Sequence, residues 1–189
     1  MLAAREDLVN QLLDIAKRKN VKLYGMVNDA LEWIIKAEDM GLSPEEVVGL
    51  SEIVKTAKDA GFIPVVESLW YDVVGKIFRV DRSWAMKKWY ECGQWYGKYY
   101  SVKFPQDPLS AFKRDICSLV WNVSEFNILE KEDGNEVLVR CVSPKSPLSY
   151  LTLFSAFLEG IFDLLGYKCT KKDVSKGIIR LVFKREREE

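Results

Sequence analysis

Histidine is absent from all 189 residues. That one absence removes Ser-His-Asp and Cys-His nucleophile systems, histidine metal sites and His-ligated haem. Close cysteine pairs are missing as well. Cys92, Cys117, Cys141 and Cys169 lie 24 to 28 residues apart, which disfavours zinc, and three disulfide pairings stay open to them. Buried free thiols in a cytosolic protein are the expectation. No run approaches the roughly 18 uncharged apolar residues of a membrane-crossing helix. The opening residues, Met1 to Asp7, lack the basic-then-apolar layout of a secretion signal, so the expected location is cytoplasmic and away from membranes. There is no P-loop, G-x-G-x-x-G, G-x-S-x-G or H-E-x-x-H, and the enzyme classes those motifs mark are unsupported.

Net charge is lacking too, with 28 Lys+Arg against 28 Asp+Glu. It is unevenly spread. Residues 1–61 hold 8 basic and 11 acidic side chains, and residues 62–120 hold 9 and 6. The acidic first third is a poor electrostatic match for a phosphate backbone, so DNA binding is disfavoured. Glutamine occurs only at 11, 94 and 106, while Glu, Lys and Arg are abundant, a lean toward thermophile composition. What is plentiful is apolar surface, 48% of the residues, enough for a sizeable core.

The periodicity predicts six helices first. Residues 4–19 carry Leu8, Leu12, Ile15 and Ala16 at helical spacing, and a second helix carries Met26, Ala30, Leu31 and Ile34 up to a stop at Gly41. Ser43-Pro44-Glu45-Glu46 combines a cap, a proline at the first helical position and the Glu of a capping box, opening a third helix that ends near Gly61. A fourth spans 65–79. Asp81 or Ser83 caps a fifth to about Ser101, and Asp107-Pro108 opens a sixth ending near Trp121. The period then changes. Strands at 123–130 and 136–142 form a hairpin, an apolar helix covers 148–165, and a second hairpin runs from Tyr167 to Phe183. Helices followed by strand-strand-helix-strand-strand predict an α+β fold with an antiparallel sheet. The expected division is a helical dimerisation region at 1–62 and an α+β ligand-binding domain at 63–189.

Two stretches carry resemblances. Residues 5–38, from Arg5-Glu6-Asp7-Leu8 through Glu32-Trp33-Ile34-Ile35, resemble the helix pair of ribbon-helix-helix regulators. In that family a short N-terminal strand enters the DNA major groove. Here only Met1 to Ala4 precede the helix, so the resemblance implies a dimerisation unit whose DNA-reading strand is missing or very short. The second stretch is Gly93-x-x-x-Gly97, then a hairpin, Phe157-Leu158-Glu159-Gly160, Gly166-Tyr167 and Gly177 before a final strand. It resembles the 4-vinyl reductase small-molecule-binding domain, with relatives in haem-based nitric oxide sensors and vesicle-tethering subunits. That resemblance implies an α+β fold enclosing an apolar pocket, commonly in a dimer. Without histidine the haem-bearing form is excluded, and no cofactor is expected.

The densest feature is Trp84, Trp89, Tyr90, Trp95, Tyr96, Tyr99, Tyr100 and Phe104, interleaved with lysines. Core packing, the wall of a ligand pocket and nucleic-acid stacking all fit such a helix, in that order of preference. Trp89, Tyr96 and Tyr99 share one face. Trp84 and Trp95 fall on other sides, which predicts that more than one neighbour encloses the helix. Gly93 and Gly97 admit close approach by a helix or a ligand. On the helix at 148–165, Glu159 and Asp163 read as a solvated edge rather than a catalytic pair.

The first functional reading is a non-enzymatic, sensor-like homodimer that binds a small apolar ligand between its aromatic helix and its sheet, lined by Trp89, Tyr96, Phe154, Phe157 and Phe162. The second is a ligand-controlled DNA-binding regulator, and the third a structural or assembly subunit. An enzyme built on Asp, Lys or Tyr alone stays open.

Overall fold

The computed structural model describes residues 4–120, 122–131 and 134–186. The chain divides into two compact units, one ending at Thr56 and one beginning at Ala57. Among the described residues, seven helices and four strands follow the predicted order: α1 (Glu6–Lys19), α2 (Leu23–Asp39), α3 (Pro44–Asp59), α4 (Glu67–Val80), α5 (Arg82–Lys103), α6 (Pro108–Leu119), β1 (Glu125–Glu130), β2 (Glu136–Val142), α7 (Leu148–Leu164), β3 (Tyr167–Ser175) and β4 (Ile178–Arg185). The fold is α+β.

In the first unit α1 packs on α2. Gly41 takes a positive φ of 73° just past α2, the left-handed turn that glycine tolerates and that ends the helix. The capping box opens α3 as its residues predict. Ser43 N–H donates to Glu46 Oε2 at 2.6 Å, and Glu46 N–H donates to Ser43 Oγ at 3.2 Å. Among the described residues of this unit only Ala16 and Ala37 are buried. Tyr24, Trp33, Ile35, Met40 and Val54 are all more than half exposed. The strand that the ribbon-helix-helix resemblance would require falls largely on residues 1–3, outside the described residues.

The second unit is layered. All strand pairs are antiparallel, in the order β1-β2-β4-β3. Two hairpins therefore meet along β2 and β4, with α7 as the connection between them. Alternation on those central strands sends one face inward, and the register sets Val137 opposite Phe183, Val139 opposite Leu181 and Cys141 opposite Ile179, all buried. Helix α7 covers that face. Its apolar residues run nearly all round it, and every residue from Leu151 to Leu158 is buried, as in a helix enclosed on both sides. On its far side lies α5, while α6 bridges α5 and β1, and α4 packs on α5 and α7. No helix among the described residues is long and apolar enough to cross a membrane.

Candidate functional site

Helix α5 starts where Asp81 accepts from the Trp84 N–H at 2.9 Å, so Asp81 and not Ser83 is the cap. Its glycines then set its neighbour. A Cβ on Gly93 would lie 2.0 Å from the Phe157 carbonyl oxygen, and one on Gly97 would lie 2.9 Å from that of Ile161. From the other side, a Cβ on Gly160 would lie 2.1 Å from the Tyr90 carbonyl oxygen. The close approach is thus by a helix, not a ligand, and the two backbones are in contact. Helix α7 consequently occupies the space between the aromatic helix and the sheet, where the sequence reading set its pocket.

Of the five residues expected to line that pocket, four are brought together and one is set apart. Trp89 meets Tyr150 edge-on at 5.8 Å, Tyr150 stacks on Phe154 at 5.9 Å, Phe154 stacks on Phe157 at 6.1 Å, and Phe157 meets Tyr96 at 5.6 Å. Phe162 points to the sheet. It stacks on Phe183 at 4.1 Å and touches Phe112 and Tyr167. The Tyr96 hydroxyl donates to the Ala60 carbonyl at 2.7 Å, and burial pushes its pKa up to about 12.

At the Trp89 end the layer continues into residues that the sequence reading did not single out. Trp70 of α4 lies 6.2 Å from Trp89, and Tyr71 lies 5.0 Å from Tyr150. Beside these rings runs a chain of hydrogen bonds. The Tyr71 hydroxyl donates to Glu67 Oε1 at 2.8 Å and lies 2.8 Å from Ser146 Oγ, which lies 2.7 Å from Ser143 Oγ. Because the single tyrosine proton goes to Glu67, Ser146 must donate to Tyr71, and Ser143 to Ser146. Asn122 Nδ2 donates to the Tyr71 oxygen at 3.1 Å and to Glu67 Oε1 at 3.4 Å. Every proton in the chain therefore points toward one carboxylate. Burial raises the pKa of the Tyr71 and Tyr150 hydroxyls, with Glu67 adding to the effect, and both stay protonated at neutral pH. The Tyr150 hydroxyl has no hydrogen-bond partner among the described residues. The only sequence signal for this group was the i, i+4 spacing of Glu67 and Tyr71. Ser143, Ser146 and Asn122 join it through tertiary packing.

Other expectations need correction. More than one neighbour does pack on α5, namely α4, α6 and α7, but Trp84 and Trp95, 51% and 57% exposed, lie on sides that none of them covers. The cysteines are free, but burial holds for Cys141 alone; Cys92 and Cys117 are exposed and Cys169 is half-buried. Burial pushes the Cys141 thiol up to about 11. Glu159 and Asp163 are not a solvated edge. Lys172 of β3 pairs with Glu159, Lys168 pairs with Asp163, and the Tyr90 hydroxyl donates to Asp163 at 2.6 Å, which ties α7 to both flanking layers. No three His, Cys, Asp or Glu among the described residues are grouped to hold a metal ion. Two open hollows lie at the C-terminal end of α5. One of about 530 Å³ includes Phe104, Asp107 and Arg114, and one of about 470 Å³ includes Trp95, Lys98 and Lys103. None of the five expected residues lines either.

No family model and no curated protein matches the chain. Among solved structures it is similar to one from a study of heme distortion in the H-NOX family, with a TM-score of 0.42 and 14% identity over 83% of this chain and 93% of the other. A second, from work on modulating heme redox potential through porphyrin distortion, has a TM-score of 0.40 and 14% identity over 72% and 89%. At these values neither likeness assigns a ligand or a family to this chain.

Proposed function

We propose that the protein is a non-enzymatic small-molecule-binding module, of the 4-vinyl reductase kind that its glycine pattern resembles, working as a homodimer. The observation that carries the reading is the aromatic layer of α4, α5 and α7, ending in a hydrogen-bonded polar group. Large apolar faces beside a few oriented polar atoms are what a small-ligand site needs. Trp89, Tyr96, Phe154 and Phe157 form its wall, Phe162 backs it through α7, and Trp70, 37% exposed, is its outermost ring. Entry displaces Trp70 from Trp89, and apolar burial supplies most of the affinity. Supporting the dimer is the first unit, which has almost no core of its own. Helices of this size with their apolar faces uncovered gain most from a second copy.

Native mass spectrometry on the freshly purified chain, beside its denatured mass, tests both parts. A dimer carrying a small adduct that is lost on denaturation is expected, and Trp89→Ala should keep the dimer and lose the adduct. A monomer removes the first unit's role. If Trp89→Ala lowers only the melting temperature while the adduct stays, Trp89 is core and the layer is not the site.

A further inference from the structure

We infer that the polar end of the aromatic layer receives a protonated amine, with Glu67 supplying the opposing charge and Trp70, Tyr71 and Trp89 the ring faces. The inference rests on the binding-module reading and names the chemical class that the site selects. Glu67 sits in the first turn of α4 and is solvent-exposed. An exposed carboxylate ordinarily swings freely, or takes a lysine or arginine. This one does neither. Tyr71 and Asn122 hold its Oε1, and among the described residues no cation pairs with it, while Asp163, Glu159, Glu91 and Asp115 each have one.

The donor chain from Ser143 through Ser146 and Tyr71 ends at that carboxylate, so three hydroxyl protons are aligned toward a negative charge that no cation among the described residues neutralises. The side chains hydrogen-bonded to Tyr71 are Glu67, Ser146 and Asn122, and none is basic. A carboxylate or phosphate headgroup would meet Glu67 with no compensation. An ammonium would gain a charge-assisted hydrogen bond to the second carboxylate oxygen and the attraction of the electron-rich ring faces. Its apolar remainder would lie along Trp89 and Tyr150.

Three probes of one shape separate charge from burial: 2-phenylethylamine, 2-phenylethanol and 3-phenylpropionate, titrated at neutral pH against the full chain by tryptophan fluorescence. The amine should bind about tenfold or more tightly than the alcohol, and the acid should be the weakest. Glu67→Gln keeps an acceptor for Tyr71 and so the local structure, but removes the charge. It should bring the amine to the alcohol's affinity and leave the alcohol unchanged. Equal affinity of amine and alcohol for the unaltered chain overturns the amine inference and leaves the binding module standing, as does an acid that binds best. An amine preference that survives Glu67→Gln overturns the assignment to this carboxylate. If none of the three binds, the binding reading falls and takes the inference with it.

Discussion

The two units build their helices differently: α1 and α2 carry one apolar face each, whereas α7 is apolar nearly all round, and the two kinds meet opposite fates. In the second unit, α7 is covered by a sheet on one side and by α5 on the other, and every residue from Leu151 to Leu158 is buried. In the first, three helices bury only Ala16 and Ala37 among the described residues, and Tyr24 and Trp33 stand 78% and 68% exposed. Periodicity specifies which face of a helix seeks cover, but only the rest of the chain supplies the cover. The sheet does so for α7. A few dozen residues of helix alone bury too little surface to stand unaided, and the first unit's apolar faces stay exposed, which is why the proposed second copy would matter most there.

The glycines make that difference measurable. Gly160→Ala sets a methyl group 2.1 Å from the Tyr90 carbonyl oxygen and 2.9 Å from the Gln94 nitrogen. Both are backbone atoms of a helix fixed by its own hydrogen bonds and cannot rotate aside as a side chain would. Forced overpacking of this kind costs about 3 kcal/mol. Denaturant unfolding of the second unit should show a loss of that size. A loss below about 1 kcal/mol would mean that α5 and α7 separate easily, and the layered account of the unit would be wrong.

Much of this arrangement was legible in the residues. Caps at Ser43, Asp81 and Asp107, the stop at Gly41 and the change of period after residue 122 placed the elements within a few positions, because each is a local backbone requirement. The strand order was not legible. Which strand of one hairpin meets which of the other depends on how α7 crosses, and no local pattern encodes that. The candidate site divides along the same line. Trp89, Tyr96, Phe154 and Phe157 share helical faces, so their proximity follows from spacing once α5 and α7 pack. Phe162 belongs to the same broad stripe, but it lies on the part of α7 that the sheet takes. Ser143, Ser146 and Asn122 sit in loops, and their convergence on Tyr71 exists only in the folded chain.

Acids extend the comparison at smaller energies. Burial pulls the Asp163 pKa up, but hydrogen bonds from Lys168 and Tyr90 outweigh it, and the net value lies below the ordinary 3.8. A carboxylate with a lowered folded pKa stabilises the fold at pH values above its unfolded pKa. That contribution is lost as pH falls through about 4 toward the lowered value. Asp163→Asn should therefore cost about 1 kcal/mol at pH 7, and the difference from the unaltered chain should shrink as the pH falls below the ordinary carboxylate range. In the first unit, Asp7 is also lowered, by its hydrogen bond from Arg5, yet both side chains are largely in water at 74% and 52% exposure. Salt and solvent screen such a pair, so Asp7→Asn should leave the pH profile of unfolding unchanged. Equal effects at the two sites would mean that the Asp163 cluster is as open to water as the Asp7 pair.

The smallest effect has the opposite sign. Gly49 lies inside α3, and a Cβ there meets nothing within 4 Å. Glycine in a helix interior is less favourable than alanine because it loses more backbone freedom on folding. Gly49→Ala should thus stabilise the first unit by about 0.5–1 kcal/mol, the reverse of Gly160→Ala, read as a rise in the midpoint of helix loss by far-UV circular dichroism. Concentration dependence gives the measurement its second use. A gain that is the same at low and high protein concentration means that the Gly49 surface faces water in the assembly. A gain at low concentration that turns into a loss at high concentration means that the partner's backbone closes on Gly49 as α7 closes on Gly93. The first unit would then complete between two chains the kind of glycine contact that the second unit makes within one.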